Sequence, residues 1–84
     1  MYRVFLERAA EKQLKQLSAK LHDRVIAAIQ TLAENPRPAG CRKLSGSERD
    51  WRIRVGDYRI IYEIDHATRE VRINRVRHRR EVYR

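Results

Sequence analysis

Trp51-Arg52-Ile53-Arg54-Val55-Gly56-Asp57-Tyr58-Arg59-Ile60-Ile61-Tyr62 is the stretch from which the rest of the chain can be organised. Two runs of β-branched, aromatic and basic residues flank a Gly-Asp pair. A two-residue link with glycine first is the signature of a type II′ β-hairpin turn. Such a turn sets Val55 opposite Tyr58, Arg54 opposite Arg59 and Ile53 opposite Ile60. Side chains alternate between the two faces of a strand. Trp51, Ile53, Val55, Tyr58, Ile60, Tyr62 and Ile64 therefore share one face, which needs a cover, and Arg52, Arg54 and Arg59 share the other. Arginines that face one another across strands repel, so stability does not explain this arrangement. A solvated outer face would be served equally by Lys, Thr or Glu, and only Glu63 offsets the three cations nearby. The pattern favours a site for an anion.

Toward the C-terminus, Glu70–Arg77 alternates and reads as a third strand. Matching Ile64 with Val71 and Tyr62 with Ile73 keeps the core face apolar. That register places Val76, rather than Arg75 or Arg77, beside Arg59, and bringing Arg79 onto the basic face then requires a bulge or a twist at the strand end. Toward the N-terminus, residues 36–48 hold both prolines and two of the three glycines. They form one long connection, with a short strand at 42–44. Before it, Leu6, Ala10, Leu14, Leu17 and Leu21 recur at steps of three and four, and Val25, Ile26, Ile29, Leu32 and Ala33 continue a helical period. The spacing predicts two helices, about 7–17 and 20–34, forming an antiparallel hairpin. Ser18 is the turn or N-cap residue between them, and Asn35-Pro36 is the stop, because a residue preceding proline is driven out of the α region. Residues 2–6 read as a strand. The expected fold is α+β: a single domain over residues 1–84, with an N-terminal strand and a two-helix hairpin packed on one face of a small, mostly antiparallel sheet.

Lys and Arg number 20 against 11 Asp and Glu, for a net charge of +9 on 84 residues. Self-repulsion of that size is relieved by an anionic partner. The excess sits in the second half: residues 42–84 carry 13 basic side chains, 12 of them Arg, whose planar fork suits phosphate. No apolar run approaches the ~20 residues that span a bilayer, and the first residues lack a signal peptide's apolar stretch and cleavage site. The single cysteine, Cys41, has no internal partner. These features point to a cytoplasmic protein that binds a polyanion and does not engage membrane. No His-Glu-x-x-His, Cys-x-x-Cys or clustered carboxylate set is present, so neither a metal nor another cofactor is expected. His22, on a helix, and His66, in a turn, read as structural.

The closing stretch, Val76-Arg77-His78-Arg79-Arg80-Glu81-Val82-Tyr83-Arg84, gathers the remaining polar chemistry. With it, the chain resembles the RelE family of toxin–antitoxin ribonucleases over nearly its whole length. The carriers are the helix hairpin ending in Asn35-Pro36, Lys43-Leu44 before the sheet, the strand from Trp51, the Gly56-to-Tyr62 hairpin, and His78 to Tyr83. The resemblance implies a ribosome-dependent endoribonuclease that cuts mRNA in the decoding site, using the substrate 2′-OH as nucleophile and leaving a 2′,3′-cyclic phosphate. It also implies a cognate RelB-like antitoxin as partner. By the same resemblance, Arg52 and Arg54 match two basic positions before the turn. Arg59 matches a phosphate-binding arginine, Arg79 an arginine near the C-terminus, and Tyr83 a terminal tyrosine. Some relatives carry lysine at positions 52 and 54, where a desolvated amine can act as a base. Arginine stays protonated, which leaves His78, Tyr83 or Glu81 for that task, or a reaction driven mainly by electrostatics. Two rivals remain at this stage: a ParE-type toxin that inhibits gyrase, and an RNA-binding module without catalysis.

Overall fold

The hairpin turn forms where the sequence places it. In the computed structural model, which describes residues 1–44, 49–78 and 80, Gly56 adopts φ +57° while Asp57 stays out of the left-handed region. That is the type II′ combination, and the ladder beside it pairs Val55 with Tyr58, Arg54 with Arg59 and Ile53 with Ile60.

Seven elements follow in order: β1 (Arg3–Leu6), α1 (Arg8–Lys15), α2 (Ala19–Glu34), β2 (Arg42–Lys43), β3 (Asp50–Val55), β4 (Tyr58–Asp65) and β5 (Glu70–His78). The strands make one sheet in the order β1-β5-β4-β3-β2. β1 runs parallel to β5, and the other pairs are antiparallel. Ser18 begins α2, its Oγ accepting the Leu21 N–H at 3.4 Å, and so satisfies one of the free donors of the first helical turn. Asn35 ends the helix in extended backbone (φ −144°, ψ 100°), as the following proline requires. Both helices cover the apolar face. Ala10 and Leu14 of α1 and Val25, Ile29 and Leu32 of α2 are buried against Ile53, Val55, Ile60, Tyr62, Ile64, Val71, Ile73 and Val76.

The register of β5 departs from expectation. Ile64 pairs with Val71 and Tyr62 with Ile73, but the ladder then resumes with Ile61 opposite Arg75, leaving Asn74 as the extra residue of a β-bulge. Beyond it, Ile60 pairs with Val76 and Arg59 with Arg77, not Val76. The physical reason is parity. A one-residue slip exchanges the faces of a strand, and without the bulge Val76 would sit among the arginines while Arg75 and Arg77 entered the core. With it, Val76 is 3% exposed in the core.

Tyr62 ties the sheet to the start of the long connection: it is fully buried and its hydroxyl donates to the Pro36 carbonyl at 2.7 Å. Burial, with the nearby Cys41 thiol adding to it, pushes the phenol far above its ordinary value. Folding thus favours the protonated ring. This stabilisation is complete below about pH 10, the unfolded value, and is lost as the pH rises beyond it. Urea titrations between about pH 8 and pH 11 are expected to show this alkaline decline in the wild type. Tyr62→Phe, which should cost about 1 kcal/mol near neutrality, should flatten it; an equal decline in the variant would clear Tyr62 as its cause. Gly56→Ala tests the turn. A methyl there meets the Arg24 guanidinium at an ordinary 3.7 Å, so the penalty is the backbone's, about 1–2 kcal/mol by the same titration.

Candidate nucleic-acid interface

The sheet face away from the helices carries its charge in rows. Nearest the turn, Arg54, Arg59 and Arg77 stand abreast on β3, β4 and β5. The next row runs Arg42, Arg52, Ile61, Arg75 across β2 to β5. The third changes sign: Asp50, Glu63 and then Arg72. Adjacent strands lie about 4.8 Å apart, so each row spans the width of a phosphodiester group and its neighbours. Five of the six cations in the first two rows would repel one another at close quarters in the absence of an anion.

Arg42, Arg52, Arg54 and Arg59, with Gly40 and Ile53, line a cavity of about 190 Å³ on this face. Arg59 forms its floor and is only 7% exposed, whereas Arg42 and Arg54 are open to solvent and Arg52 is half-buried. A cation held away from water acts on an anion through a lower effective dielectric than a solvated one. Its neighbours are held too. The Arg54 Nε donates to the Gly56 carbonyl at 3.3 Å, and an Arg75 Nη donates to the Asn74 carbonyl at 2.8 Å. At the acidic end the carboxylates are engaged: Glu63 accepts from the Asn74 amide at 3.0 Å, and Glu7 pairs with Arg72 at 3.2 Å.

Of the residues singled out from the sequence, Arg52, Arg54 and Arg59 are brought together. Arg79 and Tyr83, with Glu81, lie outside the described residues. His78 is opposite Tyr58 in the ladder, one step from the Arg59–Arg77 pair, so its side chain leaves on the helix-covered face. There it meets Tyr58 edge-on (centroids 5.2 Å apart, 85°) near Gln13, Gln16 and Leu17. Its Nδ1 accepts the Arg80 N–H at 3.3 Å, so the neutral ring carries its proton on Nε2 and offers a donor rather than a free base. His22 bonds Asp23 at 3.4 Å and His66 bonds the Tyr2 hydroxyl at 2.7 Å, both away from the arginines. Among the described residues no His, Cys, Asp or Glu side chains gather in a group able to hold a metal ion, and no helix is long and apolar enough to cross a membrane.

Three members of the face were missed in the sequence reading. Arg75 and Arg77 were hidden by the bulge, although apolar residues at 71, 73 and 76 break the period of two at that point. Arg42 belongs to a two-residue strand, too short for alternation to assign its face.

Comparison with known proteins agrees with this architecture. Residues 4–83 match the family described as ParE toxin of type II toxin-antitoxin system, parDE. The RelE of the archaeal RelE–RelB complex from Pyrococcus horikoshii is 28% identical, superposes with a TM-score of 0.83, and the match covers 93% of this chain and 94% of that one. The toxin–antitoxin complex RelBE2 from Mycobacterium tuberculosis gives 28% identity, a TM-score of 0.80 and coverage of 92% and 96%. The isolated E. coli RelE toxin, at 23% identity, a TM-score of 0.82 and coverage of 99% and 92%, shares the fold. No curated protein gives a significant match. With nearly its whole length accounted for, the chain belongs to the ParE toxin family and is a toxin of a type II toxin–antitoxin system, in the superfamily that RelE and ParE share.

Proposed function

We propose that this toxin is a ribosome-dependent mRNA endoribonuclease that stops translation by cutting mRNA in the decoding site. The row Arg54, Arg59, Arg77 is the observation that carries the reading, because three cations in register on one sheet face are well placed to hold a phosphodiester. The reaction suited to such a face starts from the RNA itself. The 2′-oxygen attacks the adjacent phosphorus, the bond to the 5′-oxygen breaks, and the products are a 2′,3′-cyclic phosphate and a 5′-hydroxyl. The proton leaves the 2′-OH and a proton reaches the departing oxygen, so no metal or cofactor is needed for balance. Charge gathers on the non-bridging oxygens, where preorganised donors are most effective.

In this scheme Arg59 holds the phosphate from the cavity floor, and Arg52 and Arg54 align the backbone on either side. Arg79 adds charge at the leaving group, and Tyr83 stacks on a base or accepts the 2′-OH proton. His78, on the opposite face of β5 against Tyr58, takes no part in this scheme. The ribosome supplies the mRNA in an extended form, and the toxin acts in the cytoplasm where ribosomes are. A RelB-like antitoxin is the natural partner, since relatives at 28% identity were solved as RelE–RelB and RelBE2 complexes. Gyrase inhibition is the competing reading, favoured by the ParE description of the matching family.

Mapping mRNA 5′ ends with purified toxin, with and without ribosomes, separates these readings. Cuts that need ribosomes and leave cyclic-phosphate ends are expected. Equal cutting of naked RNA would remove the ribosome dependence, and intact mRNA with broken DNA in induced cells would establish gyrase as the target. Arg59→Ala should lower the single-turnover rate on ribosome-bound mRNA by about 10²–10³-fold while the urea midpoint moves little. Arg54→Ala should reduce the salt dependence of RNA affinity, with the slope of log K against log[salt] falling by about 0.7. An unchanged slope would place Arg54 off the RNA.

A further inference from the structure

We propose that Gln13, on α1, is a positioning residue that holds β5 beyond its bulge and so keeps Arg77 abreast of Arg59. The proposal rests on reading the arginine face as the phosphate site. β1 pairs with β5 only as far as Leu6 opposite Ile73, where the Glu7 N–H closes the ladder on the Ile73 carbonyl at 2.9 Å. The chain then turns into α1, and among the described residues no strand pairs with that edge of β5 afterwards. The bulge falls at this point, at Asn74, so the segment after it has lost its neighbour on one side just where its register changes.

Gln13 replaces that neighbour. Its side-chain oxygen accepts the Val76 N–H at 2.7 Å, across 63 residues of sequence. Val76 is 3% exposed, and a backbone N–H left without a partner there is strongly unfavourable. Ala10 and Leu14 of the same helix are anchored in the core, which fixes the height of Gln13 over the strand. Asn74 and Arg75 hold the bulge through bonds to Glu63 and to the Asn74 carbonyl. Gln13 alone among these holds the chain after the bulge, one peptide from Arg77. If the register slipped back, Val76 would face the arginines and Arg77 would be withdrawn from Arg59. An amide oxygen is therefore required at position 13, and a carboxylate oxygen is an adequate substitute, whereas an apolar side chain of the same length is not.

The test measures affinity for a single-stranded RNA oligonucleotide, with Arg59→Ala as the control for the face itself. Arg77→Ala is expected to weaken binding roughly tenfold, as for one charge-assisted contact. Gln13→Met should match that loss, Gln13→Glu should restore most of it, and Gln13→Met with Arg77→Ala should lose no more than Arg77→Ala alone. Multiplying losses in the double variant, or wild-type affinity in Gln13→Met, would overturn the positioning role while leaving the face intact. Wild-type affinity in Arg59→Ala would overturn the face reading and this inference with it. Should Gln13→Met fail to fold, hydrogen exchange on the wild-type protein decides: a protected Val76 amide supports the bond from α1, and an amide exchanging as fast as an exposed one overturns it.

Discussion

A strand shows successive side chains to opposite faces, and in this sheet both faces are committed. One must stay apolar under α1 and α2, and the other carries cations on all five strands. The period of two is therefore the constraint on which everything else depends. At β3 and β4 a Gly-first turn meets it with no residue to spare. At β5 the sequence is out of phase by one residue, and the bulge at Asn74 absorbs the difference. Shifting that residue reassigns Val76, Arg75 and Arg77 together, so the core and the arginine face are joined in a single choice of register.

The arginine face works against the fold that carries it. Cross-strand cations destabilise a sheet by a few tenths of a kcal/mol or more per pair, and a fold built from so few residues has little stability to lose. The face is tolerated because its charge is graded: cations crowd at the turn end, whereas at the other end Glu63 and Glu7 meet Asn74 and Arg72. The half-exposed Glu7–Arg72 pair adds little stability by itself. The effect of these contacts is to confine the positive field to the cavity above Arg59.

The parts legible in the sequence were the local ones. A turn signal, a helical period, a serine cap and an Asn-Pro stop each act within a few residues, and all lie where the residues put them. Pairing Tyr62 with Ile73 was legible as well, since it follows from keeping apolar residues on one side. The pairing of Arg59 with Arg77 was not, because it depends on an inserted residue whose support comes from α1, some 60 positions away. Arg42 escaped for a related reason: its strand is two residues long and takes its face from Arg52 across the ladder. The spacing of Val71, Ile73 and Val76 was the one local mark of the bulge.

The same geometry bears on the missing base. Two faces of one strand meet at the end of β5: Arg77 leaves toward the arginine row and His78 toward Tyr58 and α1. The His78 imidazole is thus turned away from the arginine row, with its acceptor nitrogen bound to the Arg80 N–H. What the arginine face offers in place of a base is fixed positive charge. Charge of this kind stabilises a developing phosphorane-like transition state without gaining or losing a proton. On the proposed ribonuclease reading, such a site depends on substrate geometry more than on acid–base matching, and an RNA held in line by the ribosome would supply what these arginines cannot impose alone.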